Sequence, residues 1–181
     1  MIVDHLNSCD IYHRDLKPEN FLIRTEVNRK IYLHLSDFGI AKNMNPDYTR
    51  LTSTAGAIKG TIEYLAPEIL NGSLAKPNIS KQDVWSIGVI AYQLCTLRLP
   101  FKCDTPGATM MAIINNPHDP IPSKLYSDEL KDIINRLLTK DPEQRPSIQE
   151  LTKVPIIRNA LDTLTKEFES KIFFELGNSL I

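Results

Sequence analysis

The chain has 181 residues, 42% of them hydrophobic and 24% charged, and 21 Lys and Arg against 22 Asp and Glu give a formal net charge of −1. That is enough apolar chain for one domain with its own core, and the balanced charge excludes a global basic field for nucleic acid or an anionic membrane. Cys9, Cys95 and Cys103 are an odd number, far apart, with no CxxC pair and no His at metal spacing; they read as free thiols in a reducing compartment, the cytoplasm or the nucleus.

Asp4 and His5 interrupt the first apolar residues, so neither a signal-peptide core nor a bilayer-spanning run is predicted, and partners must be sought from local sites. Ile2, Val3 and Leu6 suit the last turns of a helix ending near Asn7 and Ser8. Phe21-Leu22-Ile23 and Ile31 to Leu35 are short apolar or alternating runs separated by the polar Thr25 to Lys30, the pattern of a small hairpin. From Lys42 to Lys59 no apolar period is sustained, and Asn43, Asn45, Pro46, Asp47, Thr49, Thr52, Ser53, Thr54 and Gly56 predict a mobile loop.

After Pro67 a short helix is expected through Leu70, broken by Asn71-Gly72. Ser80 followed by Asp83 resembles a capping box, and Val84, Trp85, Ile87, Gly88, Val89, Ile90, Ala91 and Leu94 make a helix apolar on nearly every face, as in the middle of a core. An ionised Asp83 near the start of such a helix needs a partner. Thr105-Pro106 opens a helix to about Asn115, Ser127 caps one whose stripe is Leu130, Ile133, Ile134, Leu137 and Leu138, and Ser147 with Glu150 is a capping box for a short helix ending before Pro155. Leu161, Leu164, Phe168, Ile172 and Leu176 predict an amphipathic terminal helix from Asn159 to about Leu176.

Within this helical frame His13 to Asn20 reads HRDLKPEN, and a loop can turn its Asp, Lys and Asn toward one point, as phosphate chemistry requires. Asp37-Phe38-Gly39 and Ala66-Pro67-Glu68 follow in order. On these motifs the chain resembles the eukaryotic protein kinase family from about residue 5 to about residue 157. The resemblance implies a mainly α, kinase-like C-terminal lobe with a small hairpin at its catalytic edge over residues 1–157, and an amphipathic helix over 158–181.

It also implies roles for particular residues. Asp15 is the base that orients the attacking hydroxyl, Lys17 the fixed positive charge beside the transferring phosphate, and Asn20 and Asp37 are oxygen ligands for Mg²⁺ on ATP. Lys17 followed by Pro18 and Glu19 resembles the serine/threonine class. Phe38 docks under the metal loop, Gly39 permits the turn that aims Asp37, and His13 packs the catalytic loop. Arg14 is the partner for a phosphorylated residue among Thr49, Thr52, Ser53 and Thr54, with Thr54 first. Thr61 bonds Asp15 and Lys17, Ile62, Glu63, Tyr64 and Leu65 line the substrate pocket, and Glu19 faces a basic residue of the substrate. Glu68 and Arg145 form a buried ion pair, and Asp83 holds the backbone of the catalytic turn. The run through Pro100-Phe101, Asp141-Pro142 and Arg145-Pro146-Ser147 is most similar to NimA-related kinases.

Only twelve residues precede His13, and none of the seven glycines falls in a GxGxxG loop, so the sequence reads as a C-terminal lobe without its N-terminal lobe. Two functions stand. One is the C-terminal part of a serine/threonine protein kinase that moves the ATP γ-phosphate to protein hydroxyls, fully active only with an N-lobe or a partner that completes it. The other is a non-catalytic module that binds kinase partners or substrates near Tyr64 and the helix after Thr105.

Overall fold

A computed structural model describes residues 2–25, 31–36, 42–43, 61–72, 79–122 and 124–165. Helix α1 spans Ile2–Ser8 and runs into strand β1, Ile11–Tyr12. The loop from His13 closes with a 3-10 turn at Pro18–Asn20, from which β2, Phe21–Thr25, pairs antiparallel with β3, Ile31–Leu35, in the register Phe21 to Leu35 and Thr25 to Ile31. Strand β4, Lys42–Asn43, pairs antiparallel with β1. The sequence gives β1 and β4 no signal, because two-residue strands carry no period; here the pairing takes the first two residues of a stretch expected to be loop. Positions 44–59 lie outside the described residues.

A 3-10 turn at Ile62–Tyr64 leads to α2, Pro67–Leu70, with Pro67 at the first helical position. Gly72 follows at φ +72°, a left-handed conformation that glycine adopts without cost from a Cβ, and it ends the turn as predicted. Helix α3 is described from Ile79–Thr96, α4 spans Pro106–Asn115, α5 Asp128–Leu137 and α6 Ile148–Leu151. A further helix, α7, runs over 155–165 of the described residues.

The caps explain the helix starts. The Thr105 side chain accepts the Ala108 N–H, the Ser127 side chain accepts the Leu130 N–H, and Ser147 with Glu150 forms a complete capping box. Ser80, in contrast, lies inside α3, and Asp83 is engaged elsewhere; a tertiary partner displaced the local cap. Helix α7 begins at 155 and not at Asn159, since Pro155 suits a first helical turn. Its Leu164 is exposed, while Phe168, Ile172 and Leu176 lie outside the described residues.

Helix α3 joins two halves of the core. Val84 packs with Val3, Leu16, Ile133, Leu137, Ile148 and Leu151, whereas Trp85, Val89 and Tyr92 pack with Tyr64, Phe101, Ile113, Ile134 and Leu138. The all-round apolar pattern holds until the last turns, where Leu94 emerges into solvent. Each large aliphatic side chain buried this way contributes about 1.5–3 kcal/mol. At Gly88 α3 lies against α5 so closely that a Cβ would stand 2.8 Å from Leu137 Cβ and 3.0 Å from Leu138 Cδ2. Gly88→Ala is therefore expected to be destabilising by on the order of 1 kcal/mol, because overpacking of about 1–3 kcal/mol outweighs a helix-propensity gain of about 1. A lower urea midpoint at unchanged slope would show it, and a raised midpoint would contradict the close approach.

The described elements are thus mainly helices with a small antiparallel hairpin, the architecture expected of the helical lobe; among the described residues no glycine-rich loop or third-strand Lys of an N-terminal lobe occurs.

Candidate active site

The site is built on the turn between β1 and β2. Arg14 sits at φ +66°, a left-handed conformation that costs a side-chain-bearing residue energy and needs outside support. Asp83 supplies it: its two carboxylate oxygens accept the His13 N–H at 2.9 Å and the Arg14 N–H at 2.8 Å. Burial pushes the Asp83 carboxyl up, and the two backbone donors, followed by the His13 and Arg14 charges, pull it back. Both peptide N–H groups of the turn are thereby fixed to α3 from inside the core.

His13 is fully buried and its Nε2 donates to the Ser36 carbonyl at 3.1 Å. Ser36 in turn gives both its N–H, at 2.8 Å, and its hydroxyl, at 3.1 Å, to the Asn20 carbonyl. The end of β3, one residue before Asp37, is thus fastened to the catalytic turn at two points. Sequence reading passed over Ser36; its place directly before Asp-Phe-Gly is the signal that could have marked it. Asp37, Phe38 and Gly39 themselves lie outside the described residues.

Asp15, Lys17, Asn20 and Thr61 converge. The Lys17 Nζ lies 3.0 Å from Asp15 Oδ2 and donates to Thr61 Oγ1 at 3.2 Å. Asn20 donates through Nδ2 to the Asp15 carbonyl at 2.7 Å and to Asp15 Oδ2 at 3.4 Å. Thr61 was expected to touch both Asp15 and Lys17; it touches Lys17, which carries the link onward to Asp15. Only 11% of the Asp15 side chain is exposed, so its pairing with Lys17 is less screened than a surface pair. With the Asn20 nitrogen committed to Asp15, its amide oxygen is the atom left to face a cation. Among the described residues no group of three His, Cys, Asp or Glu side chains could hold a metal.

The segment after Thr61 is held from α3. Tyr64 donates its hydroxyl to Gln93 Oε1 at 2.8 Å, and its carbonyl accepts from the Ser86 hydroxyl at 2.9 Å. Burial, then the negative charge of Glu19, raises the Tyr64 hydroxyl pKa. Ile62 and Glu63 are half-buried, but Tyr64 and Leu65 are buried side chains. Of the four residues expected to line a pocket, Tyr64 also anchors the segment to the core, where its ring packs with Ala66 and Trp85. The Arg14 side chain is also buried, and Thr49, Thr52, Ser53 and Thr54, its expected partners when phosphorylated, lie outside the described residues.

Glu68 and Arg145 meet in a bidentate pair, 2.8 Å from Nη1 to Oε1 and 3.0 Å from Nη2 to Oε2. The other donors of the guanidinium reach the carbonyls of Lys81 at 2.7 Å, Thr139 at 3.0 Å and Lys140 at 3.3 Å, so all five N–H groups have acceptors. Lys81 returns the contact by donating its ammonium to the Arg145 carbonyl.

A carboxylate, an ammonium and an amide oxygen are gathered on one turn, beside a segment pinned to a buried ion pair, the kinds of group that phosphoryl transfer uses. The protein kinase domain family matches residues 2–157, and the chain belongs to that family. It is 35% identical over 178 residues to the probable serine/threonine-protein kinase nek3 of Dictyostelium discoideum, covering 98% of this chain and 15% of that protein. It is also 35% identical over 157 residues to human serine/threonine-protein kinase Nek10, covering 86% of this chain and 12% of that one, and 37% identical over 147 residues to human Nek2, covering 81% and 30%. These relatives place it with the NimA-related kinases. The crystal structure of Rad53 kinase domain and SCD2 matches with a TM-score of 0.67 at 29% identity, covering 86% of this chain and 51% of that chain. The chain spans well under two thirds of each of these proteins.

Proposed function

We propose that this chain is the catalytic and peptide-presenting lobe of a serine/threonine protein kinase, which moves the γ-phosphoryl group of ATP to a Ser or Thr hydroxyl of a protein once an N-lobe completes the nucleotide clamp. The observation that carries the reading is the meeting of Asp15, Lys17 and Asn20 at one point with Thr61 beside them. A non-catalytic module requires none of that mutual geometry.

Asp15 orients the acceptor hydroxyl and takes its proton, and Lys17 neutralises charge that builds on the phosphoryl oxygens. The Asn20 oxygen, with the carboxylate of Asp37, is the hard donor set that suits Mg²⁺ on a nucleotide. Held by these two residues, the ion would supply charge neutralisation to the phosphates. Thr61 keeps Lys17 from following Asp15 out of line, and Glu19, with Ile62 and Glu63, faces the incoming peptide. Arg14 is the receiver for a phosphorylated residue of 49–54. The free thiols of Cys9, Cys95 and Cys103 accord with a cytoplasmic or nuclear place of work.

The test is transfer from Mg·ATP to peptides that differ only in a Ser, Thr or Tyr acceptor, by the chain joined to an N-lobe. Labelled Ser and Thr with unlabelled Tyr is the expected result. Labelled Tyr, or no label on any peptide, would overturn the reading.

A further inference from the structure

Lys140 is a cation set among aromatic rings. It stands half-buried between α5 and α6, with Nζ 3.7 Å from the centre of the Phe101 ring and 5.1 Å from that of Trp85. The two rings stack at 5.6 Å and 12°. The same ammonium donates to the Ile113 carbonyl at 2.5 Å. Ile113 is in the last turn of α4, where its carbonyl would ordinarily take the N–H four residues on; that residue is Pro117, which has none. Lys140 supplies the missing donor at a helix end whose dipole favours a cation. Its own carbonyl accepts from Arg145, so its backbone rests on the ion pair that holds α2.

We propose that Lys140 is a positioning residue whose ammonium clasps the C-terminal end of α4 to the Phe101 turn and, through α4, sets the Ile62–Tyr64 segment against which α4 packs. The clasp stands on its own; its effect on peptide presentation rests on the proposed kinase function.

The ammonium form is held against a desolvation penalty. Burial, with the Arg145 charge second, lowers the ammonium pKa to about 8 from 10.5. The folded chain therefore holds this proton less tightly than the unfolded one. Because the folded value is depressed, the contribution of this group to stability rises as pH climbs from about 8 to 10.5. A buried charge retained in spite of that fits a role in fixing geometry. The charge acting on it is that of Arg145, paired with Glu68 of α2; the Phe101 ring it covers also has His118 edge-on at 6.3 Å, with Tyr92 of α3 at 5.1 Å from His118. Asp141, the next residue in the chain, is exposed.

Trp85 is the only tryptophan, and of the two cations over its ring, Arg145 at 5.0 Å and Lys140 at 5.1 Å, the guanidinium stays charged, so a change of emission with pH near 8 reports Lys140. In the full chain the emission is expected to titrate with a midpoint near 8, and the transition is expected to vanish both in Lys140→Met and in Lys140→Arg, which stays charged. The Asn116 N–H, which donates to the Ala112 carbonyl at 2.9 Å, is expected to exchange faster in Lys140→Met and at the parent rate in Lys140→Arg. That acceleration should be roughly tenfold. A transition that survives in Lys140→Met, or equal exchange in all three proteins, overturns the proposal. With an N-lobe joined, Lys140→Met is expected to raise KM for the peptide and not for ATP; unchanged peptide KM overturns the link to presentation. A parent that transfers no phosphate fails the kinase reading alone, since emission and exchange do not depend on it.

Discussion

Replacing Asp15 by Asn, in the chain joined to an N-lobe, is expected to lower kcat by about 10²–10⁴-fold with KM for ATP nearly unchanged. The substitution is close to isosteric, and Asn20 still has the Asp15 backbone carbonyl, at 2.7 Å, to donate to. What is lost is an anion that fixes the Lys17 ammonium at 3.0 Å and, on the proposed function, takes the proton of the attacking hydroxyl. Lys17 keeps its bond to Thr61, so the turn survives while the alignment of base and cation does not. Steady-state transfer to a Ser peptide measures the effect, and a fall of less than about tenfold would remove Asp15 from proton transfer.

Arg145→Met is expected to lower the free energy of unfolding by about 3–5 kcal/mol. The guanidinium is wholly buried and Glu68 is 3% exposed, so removal of the cation leaves a carboxylate without a counter-charge and out of reach of water. It also leaves the carbonyls of Lys81, Thr139 and Lys140 without this donor, each a desolvated acceptor. Glu68→Gln keeps an acceptor for one Nη group and should cost less. Glu68→Leu combined with Arg145→Met removes both charges and is expected to unfold at a higher urea concentration than Arg145→Met alone. A single Arg145→Met that loses under about 1 kcal/mol would show that the network is not a support of α2.

Much of this lobe is legible in its sequence because its signals are local. Thr105-Pro106, Ser127 and Ser147 with Glu150 mark helix starts through hydrogen bonds that close within one turn, and those starts lie where expected. The hairpin reads from two runs separated by polar residues, and HRDLKPEN reads because its members share eight positions. Ser80 misled for the complementary reason: Asp83 could cap locally, but a strained turn seventy positions earlier in the chain offered it two N–H groups at once. Strand β1 with β4, the inward turn of Tyr64 and the role of Ser36 likewise depend on partners distant in sequence.

The sequence by itself determined the helical periods, their caps, and the residue types of a phosphoryl-transfer turn, since each is written in spacings of three, four or eight residues. Only the tertiary structure decided which N–H groups Asp83 holds, that all five Arg145 donors are satisfied, and that Lys140 stands over Phe101 and Trp85 to complete α4. Those depend on burial, where an unpaired polar group is costly and the chain brings together whichever partners can satisfy it, however far apart they are in sequence.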